Sequence, residues 1–265
     1  MVAILELKPF SLAELPEEKS QDELWLRGGF PLTLLAPTKT ASDFWLQNFI
    51  KTYVERDLPL LGLSVAPLQL ERLWRMLAHL NGRLLNPSEI GRSLGISNQT
   101  AKRYIDFLEN AFLISTVRPF FLNLKKRMVK APKVYMADTG VLHYLHNISD
   151  REALFAHPSV GFSWEAFVVQ QIRACKDDKI DLYFYRTHNG AEIDLLLTRG
   201  IEPIAALEIK FTNAPRLERG STIAIADINA PMNFIITPSS DDYLVKEHVR
   251  VCAMQTFIKK YLAEM

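Results

Sequence analysis

Two helix signals separated by a three-residue turn constrain this chain more than any other feature of its sequence. Asn86 precedes Pro87, which suits an N-cap followed by the first helical position, where the missing N–H of proline costs nothing. Gly95 can adopt the left-handed conformation that ends such a helix, and Ser97 can cap the next one. The pattern predicts a helix from Pro87 to Leu94, a turn, and a second helix after Ser97.

The second predicted helix has one face for burial and one for solvent. Apolar residues recur on it at helical spacing, and they are Ala101, Tyr104, Ile105 and Leu108. Polar residues near its start face outward, where a recognition helix meets base edges in a major groove. These candidate DNA-binding residues are Asn98, Gln99, Lys102 and Arg103. Strand-like runs at 112–121 and 134–136 follow, and together these elements predict a winged helix.

The connection between the two predicted strands is basic. It is the place where a wing would contact phosphates. The candidate phosphate contacts are Lys125, Lys126 and Arg127, and the same connection holds Lys130 and Lys133. Winged helices also serve as protein-contact modules, and a basic loop is often only solvated. DNA contact and protein contact are therefore alternative predictions.

The chain after Phe162 predicts one helix and three strands. The strand-like runs, at 182–186, 191–198 and 204–211, are separated by turn residues. Glu165 falls on the apolar stripe of the helix. An ionised carboxylate in such a place is costly unless a metal ion or a cation meets it.

Acidic side chains on these strands share one face. Side chains alternate along a strand, so Glu192 points with Asp194, and Glu208 with Lys210. Two carboxylates near a lysine suit Mg²⁺-assisted phosphodiester cleavage, because Mg²⁺ is usually held by one or two carboxylates plus waters and substrate phosphate. The candidate metal ligands are Asp194 and Glu208, and the candidate catalytic residues are Lys210 and Glu165. The alternative is an internal ion pair, such as Asp194 with Lys210, that needs no metal.

Composition narrows the remaining classes. The 31 basic and 30 acidic residues nearly cancel, so a nucleic-acid surface must be a local cluster. The two cysteines, Cys175 and Cys252, have neither disulfide nor metal-site spacing and are expected to be plain thiols. The sequence shows no signal peptide, and no run approaches the roughly 20 apolar residues of a membrane helix. We expect a cytoplasmic, multi-domain α/β protein that does not bind membranes.

Several motifs in combination resemble a known family. They are GGFP, YVERDL, LGIS with AKRYIDFLENAF, YMADTG, WEAFVVQQ, and FYRTHNGAEIDLLL with ALEIKF. Together they resemble bacterial and archaeal AAA-type ATPases that end in a domain of unknown function, number 4143, and the resemblance covers nearly the whole chain. It implies a winged helix followed by a module similar to PD-(D/E)XK nucleases. Asp194, Glu208 and Lys210 match that nuclease signature, and Glu165 matches its helix acid.

The chain departs from this family at its beginning. None of its 11 glycines is followed by lysine, so the phosphate loop G-x-x-x-x-G-K-[ST] is absent and no ATP is expected to bind. The strand-like run at 2–7 looks like the last strand of a missing ATPase domain, whether by truncation, in a shortened homologue or in half of a split protein. We expect a remnant of that domain and a helical linker at 1–62, a winged helix-turn-helix at 63–147, and a restriction-endonuclease-like α/β domain at 152–265.

Two functional hypotheses follow from the sequence. The first is a DNA-associated protein whose nuclease-like domain cleaves phosphodiester bonds with Mg²⁺ as cofactor. The second is a non-catalytic regulatory or interaction module that works with a partner ATPase. Under neither hypothesis does the chain hydrolyse ATP on its own.

Overall fold

The computed structural model of the chain describes residues 7–63, 65–121 and 127–265. The strand predicted at 2–7 and the candidate phosphate contacts Lys125 and Lys126 therefore lie outside the described residues, except for Leu7. Helices and a mixed sheet make up the described part, which confirms the α/β class. No helix in this part is long and apolar enough to cross a membrane.

The chain before residue 157 is mainly helical. Its helices are α1 (Gln21–Arg27), α2 (Pro31–Leu34), α3 (Lys39–Thr52) with a π-helical extension (Tyr53–Asp57), α4 (Leu58–Leu60), α5 (Pro67–His79), α6 (Pro87–Leu94), α7 (Asn98–Asn110), α8 (Thr139–Leu145) and α9 (Arg151–Ala156). Among the described residues of this part, three strands accompany them: β1 (Arg83–Leu84), β2 (Ile114–Pro119) and β3 (Lys133–Met136).

The later part of the chain contains most of the sheet. Its strands are β4 (Asp181–Arg186), β5 (Glu192–Arg199), β6 (Glu202–Ile209), β7 (Met232–Thr237), β8 (Tyr243–Lys246) and β9 (Val249–Ala253). Its helices are α10 (Val160–Cys175), α11 (Arg219–Ile228) and α12 (Met254–Thr256), followed by a π-helical turn (Phe257–Tyr261) and a 3-10 turn (Leu262–Glu264). The helix and three strands predicted after Phe162 are thus present, with ends shifted by up to two residues.

The α6–turn–α7 unit forms through the caps that the sequence predicts. The Asn86 side chain accepts hydrogen bonds from the N–H groups of Ser88 and Glu89 at the start of α6. Gly95 has φ 68° and ψ 30°, the left-handed conformation expected after the last helical residue. Ser97 accepts from the N–H of Thr100 and caps α7, whose four predicted apolar positions are all buried.

The sheet joins the two predicted domains. The described strands follow the order β1-β3-β2-β4-β5-β6-β7-β9-β8. β2 pairs in parallel with β4, with Arg118 opposite Tyr183 and Pro119 opposite Phe184. β4, β5 and β6 are antiparallel neighbours, and β7 and β9 continue in parallel from β6. The predicted wing strand β2 is therefore paired on both sides rather than free.

β3 contributes to two different hydrophobic cores because its side chains alternate. Val134 and Met136 pack with α5 and α7 in the core of the helical part. Tyr135 instead packs in the core formed around α10 and the later strands. Lys133, two residues before Tyr135, projects toward the same side and reaches α10 and β5. This alternation positions the candidate site.

Candidate functional site

Glu165 lies in the interior of α10 and is almost completely buried. Its neighbours on the helix, Trp164 and Ala166, are inaccessible to solvent. Its Oε1 atom accepts hydrogen bonds from Lys133 Nζ at 2.9 Å and from the hydroxyl of Tyr135 at 2.6 Å. The sequence predicted that a metal ion or a cation lies beside this carboxylate, and in the structure the cation is Lys133 of β3.

Lys133 connects three acidic side chains. Besides Glu165, its Nζ atom lies 3.2 Å from Asp194 Oδ1 and 3.2 Å from Glu192 Oε1. The side chain is only 3% exposed. Lys133, which the sequence places in the basic connection, is therefore not solvated there, because the alternation of β3 turns this side chain inward.

Asp194 of β5 is hydrogen-bonded to residues of the strands β3 and β6. While its Oδ1 atom faces Lys133, its Oδ2 atom accepts a hydrogen bond of 2.9 Å from the backbone N–H of Ile209. Glu192, on the same strand, also approaches Arg186, with 3.4 Å between Oε2 and the guanidinium Nε. The expectation that Glu192 and Asp194 point the same way is confirmed by their shared contact with Lys133.

Glu208 and Lys210 lie at the end of β6 and form an ion pair of 3.0 Å. Lys210 Nζ also contacts Oε1 of Glu218, the N-cap residue of α11, at 2.9 Å. Lys210 is thus paired with Glu208 rather than with Asp194, whose ammonium partner is Lys133. We call these groups together the carboxylate cluster: Lys133, Glu165, Glu192, Asp194, Glu208, Lys210 and Glu218.

The cluster contains more negative than positive charge. Burial raises the pKa of Glu165 to about 7 in spite of Lys133, and the charge of Asp194 adds to this rise. Burial and the same Asp194 charge raise the pKa of Glu208 to about 7, although Lys210 opposes the shift. Burial lowers the pKa of Lys133, but the surrounding acids outweigh it and the net shift is upward. Such shifts are typical of sites that gain from an additional cation or proton.

The donor set fits one hydrated divalent ion better than a closed cage. Across residues 7–63, 65–121 and 127–265, no three or more His, Cys, Asp and Glu side chains are arranged to hold a metal ion. Mg²⁺ needs only one or two carboxylates, with waters and phosphate completing its shell. Leu195 of β5 is paired with Leu207 of β6, so Asp194 and Glu208 lie next to this pair on adjacent strands and supply two such carboxylates. Glu165 instead faces β3, where Lys133 and Tyr135 both donate to its Oε1 atom.

The candidate DNA-binding residues lie on other elements than the carboxylate cluster. The four outward residues of the second predicted helix are exposed on α7, and they are Asn98, Gln99, Lys102 and Arg103. Arg127 is exposed as well, but its backbone carbonyl accepts a hydrogen bond of 3.0 Å from the N–H of His188. The described end of the basic connection therefore runs beside the end of β4.

Two glycine-containing motifs of the sequence, GGFP and YMADTG, pack against each other. The buried Asp138 of YMADTG caps α8 through the N–H of Val141 and accepts a 2.7 Å hydrogen bond from the N–H of Gly29 in GGFP. A side chain at Gly28 would collide with the Asp138 carboxylate, and one at Gly140 with the backbone of Arg27. These motifs therefore fix α1 against α8.

Three members of the carboxylate cluster were not predicted as site residues, and neither was Tyr135, which donates to Glu165. These members are Lys133, Glu192 and Glu218. Lys133 and Tyr135 are two residues apart in a strand, so their shared side was a usable signal that one core would receive both. Glu192 was placed on the correct face without a role. Glu218 comes from an irregular segment, and no periodicity marks it.

Comparisons with known proteins place the chain among domains without an assigned function. A family model described as "Domain of unknown function (DUF8612)" matches residues 18–152. A second, "Domain of unknown function (DUF4143)", matches residues 160–257 and is typically the C-terminal part of AAA-ATPase-like proteins, as the sequence motifs indicated.

Two curated relatives also match. "Uncharacterized protein Mb2031c" of Mycobacterium bovis and "Uncharacterized protein Rv2008c" of Mycobacterium tuberculosis are each 36% identical over 248 residues. The match covers 94% of this chain but 56% of each relative, so the chain spans about half of their length. No solved structure matches the chain.

Proposed function

We propose that this chain, which belongs to the family of the domain of unknown function DUF8612, is a DNA-associated protein that cleaves phosphodiester bonds with Mg²⁺. The observation that carries the proposal is the convergence of Asp194, Glu208 and Lys210 at the adjacent ends of β5 and β6. These residues match the PD-(D/E)XK signature, which supports a nuclease-like module in this part of the chain.

Each residue of the proposed site has a distinct task. Asp194 and Glu208 would hold Mg²⁺, which when bound polarises a phosphoryl oxygen and lowers the pKa of a water ligand. Lys210 is held between Glu208 and Glu218 and keeps an ammonium at the site, where it stabilises negative charge on the phosphate in the transition state. Glu165, predicted as catalytic, acts through Lys133 and is assigned a positioning role.

The exposed face of α7 supports a role in bringing DNA to the protein. The α6–turn–α7 unit and the strands β1 to β3 are the parts that a winged helix requires. Lys102 and Arg103 supply positive charge near the N-terminal end of α7, and Asn98 and Gln99 supply donors and acceptors for base edges. We propose that α7 is the DNA-contacting helix.

A plasmid-cleavage assay tests the proposed activity. Purified chain is incubated with supercoiled plasmid and Mg²⁺, beside Asp194→Asn and the matched control Asp178→Asn, which changes an exposed acid between α10 and β4. We expect Asp194→Asn to lose at least about 100-fold in rate, because even outer partners of metal ligands cost 10- to 100-fold, while Asp178→Asn cleaves like the unchanged chain. Equal rates for all three proteins would refute the nuclease proposal.

One observation favours a second candidate function. Lys133 pairs with three acids and ties the predicted winged helix to the later domain, which is the task of a structural joint. On this alternative the chain is a non-catalytic module that regulates a partner ATPase. The assay separates the two, since a joint without catalysis gives no cleavage that depends on Asp194.

A further inference from the structure

Lys133 lies between three acidic side chains of the carboxylate cluster. We propose that its ammonium is a permanent cation of the site, so that the site binds one divalent cation instead of two. The inference rests on the proposed function, and it assigns Lys133 as a positioning residue that sets the number of ions.

The geometry of Lys133 is that of a fixed cation. An ammonium has three N–H donors, and Nζ has three acidic partners: Glu165 at 2.9 Å, and Asp194 and Glu192 at 3.2 Å each. The hydroxyl of Tyr135 donates to the same Oε1 atom of Glu165, which holds that carboxylate in place. Because its side chain is 3% exposed, Lys133 cannot exchange these partners for water without a local rearrangement.

Asp194 is shared between this cation and the proposed ion. In two-metal phosphodiesterase sites the ions lie about 3.5–4 Å apart and clamp the attacking and leaving oxygens. A carboxylate that faces both ions would stand where Asp194 stands, with Lys133 on its Oδ1 side and Glu208 beside it on the adjacent strand. The ammonium thus replaces one ion of such a pair, and Asp194 with Glu208 remains for the other.

The cation and the acids come from different parts of the chain. Lys133 lies in the region matched by the first family model, whereas Glu165, Asp194 and Glu208 lie in the region matched by the second. The complete charge arrangement therefore requires both regions, which are joined by the pairing of β2 with β4.

Counting bound Mn²⁺ by calorimetric titration tests the inference. We expect one ion per chain for the unchanged protein and two for Lys133→Met, since removal of the ammonium leaves Glu165 and Asp194 without their cation. The double variant Lys133→Met with Glu165→Gln removes an acid as well and should return to one ion. Lys179→Met, at an exposed lysine before β4, is the matched control and should bind one.

Each outcome has a separate meaning. One ion in both the unchanged chain and Lys133→Met overturns the inference and leaves the proposed function intact, as do two ions in the unchanged chain. No ion in the unchanged chain refutes the proposed function. If Lys133→Met is unfolded without metal, refolding on addition of Mn²⁺, followed by circular dichroism, supports the inference, and failure to refold counts against it.

Discussion

The carboxylate cluster and the exposed face of α7 are two candidate functional regions built in opposite ways. The cluster is largely buried and brings together residues from β3, α10, β5 and β6. The face of α7 consists of exposed residues within a single helix, held by local caps. In the carboxylate cluster, function and stability therefore depend on the same side chains. On the exposed face of α7, a substitution can change function with almost no change in the free energy of unfolding.

The largest difference between the regions should appear in the free energy of unfolding. Removing one partner of a buried ion pair leaves the other charges uncompensated, so we expect Lys133→Met to lose about 3–5 kcal/mol in urea denaturation. The double variant with Glu165→Gln should recover part of this loss. Lys102→Met on α7 should change stability by less than about 0.5 kcal/mol. Similar losses for Lys133→Met and Lys102→Met would remove the contrast.

A smaller effect should appear in the pH dependence of stability, which we expect to depend on a buried histidine of α8. His143 is fully buried, donates from Nδ1 to the carbonyl of Leu26 at 2.9 Å and lies 2.6 Å from Ser163 Oγ. Burial lowers its pKa to about 4. Between pH 6.5 and 4, His143 is therefore protonated in the unfolded chain but neutral in the folded chain. The free energy of unfolding decreases as the pH falls through this range. At pH 5 this loss is about 2 kcal/mol.

The control for this effect is His143→Gln, measured over the same pH range. Glu165, with its raised pKa of about 7, acts in the opposite direction, because its contribution to stability decreases as the pH rises from 4.5 to 7. Subtracting the profile of His143→Gln from that of the unchanged chain isolates His143. A difference that does not vary between pH 7 and 5 would contradict the assignment of a neutral, buried imidazole.

A still smaller loss is expected from the cap of α7. Ser97 accepts a hydrogen bond from the N–H of Thr100, and replacing such a cap by alanine typically costs about 1 kcal/mol. We expect Ser97→Ala to lose about this much in urea denaturation, while Ser115→Ala, on β2, serves as a serine outside any helix cap. A loss as large as that of Lys133→Met would show that α7 is not held only locally.

The smallest effect on stability should accompany a clear effect on DNA binding. We expect Lys102→Ala to leave unfolding unchanged within about 0.5 kcal/mol and to reduce the salt dependence of DNA affinity by about one unit of slope, because one phosphate contact is lost. Lys179→Ala removes the same charge elsewhere on the surface and should leave the slope unchanged. Identical slopes for both variants would argue against α7 as the DNA-contacting helix.

The same contrast explains which features the sequence could predict. The boundaries and caps of α6 and α7 depend on residues a few positions apart, and Asn86, Gly95 and Ser97 act as predicted. The strands β4 to β6 follow from alternation and turn residues, which are also local signals. The predicted domain boundaries stay predictions.

The cluster was only half predictable because its key contact is long-range. The pattern identified Glu165, Asp194, Glu208 and Lys210, and it stated that Glu165 needs a cation. It placed Lys133 in the basic connection, because the nearby signal, its shared strand side with Tyr135, does not show which core receives that side. Burial there is decided by the packing of α10, about thirty residues later in the chain.

Anomalous diffraction from crystals soaked in Mn²⁺ tests the central claim most directly. We predict a single Mn²⁺ peak in the cluster, about 2.1 Å from carboxylate oxygens of both Asp194 and Glu208, with Lys133 still bonded to Glu165. A cluster without a peak, or a peak that contacts neither Asp194 nor Glu208, would contradict the account.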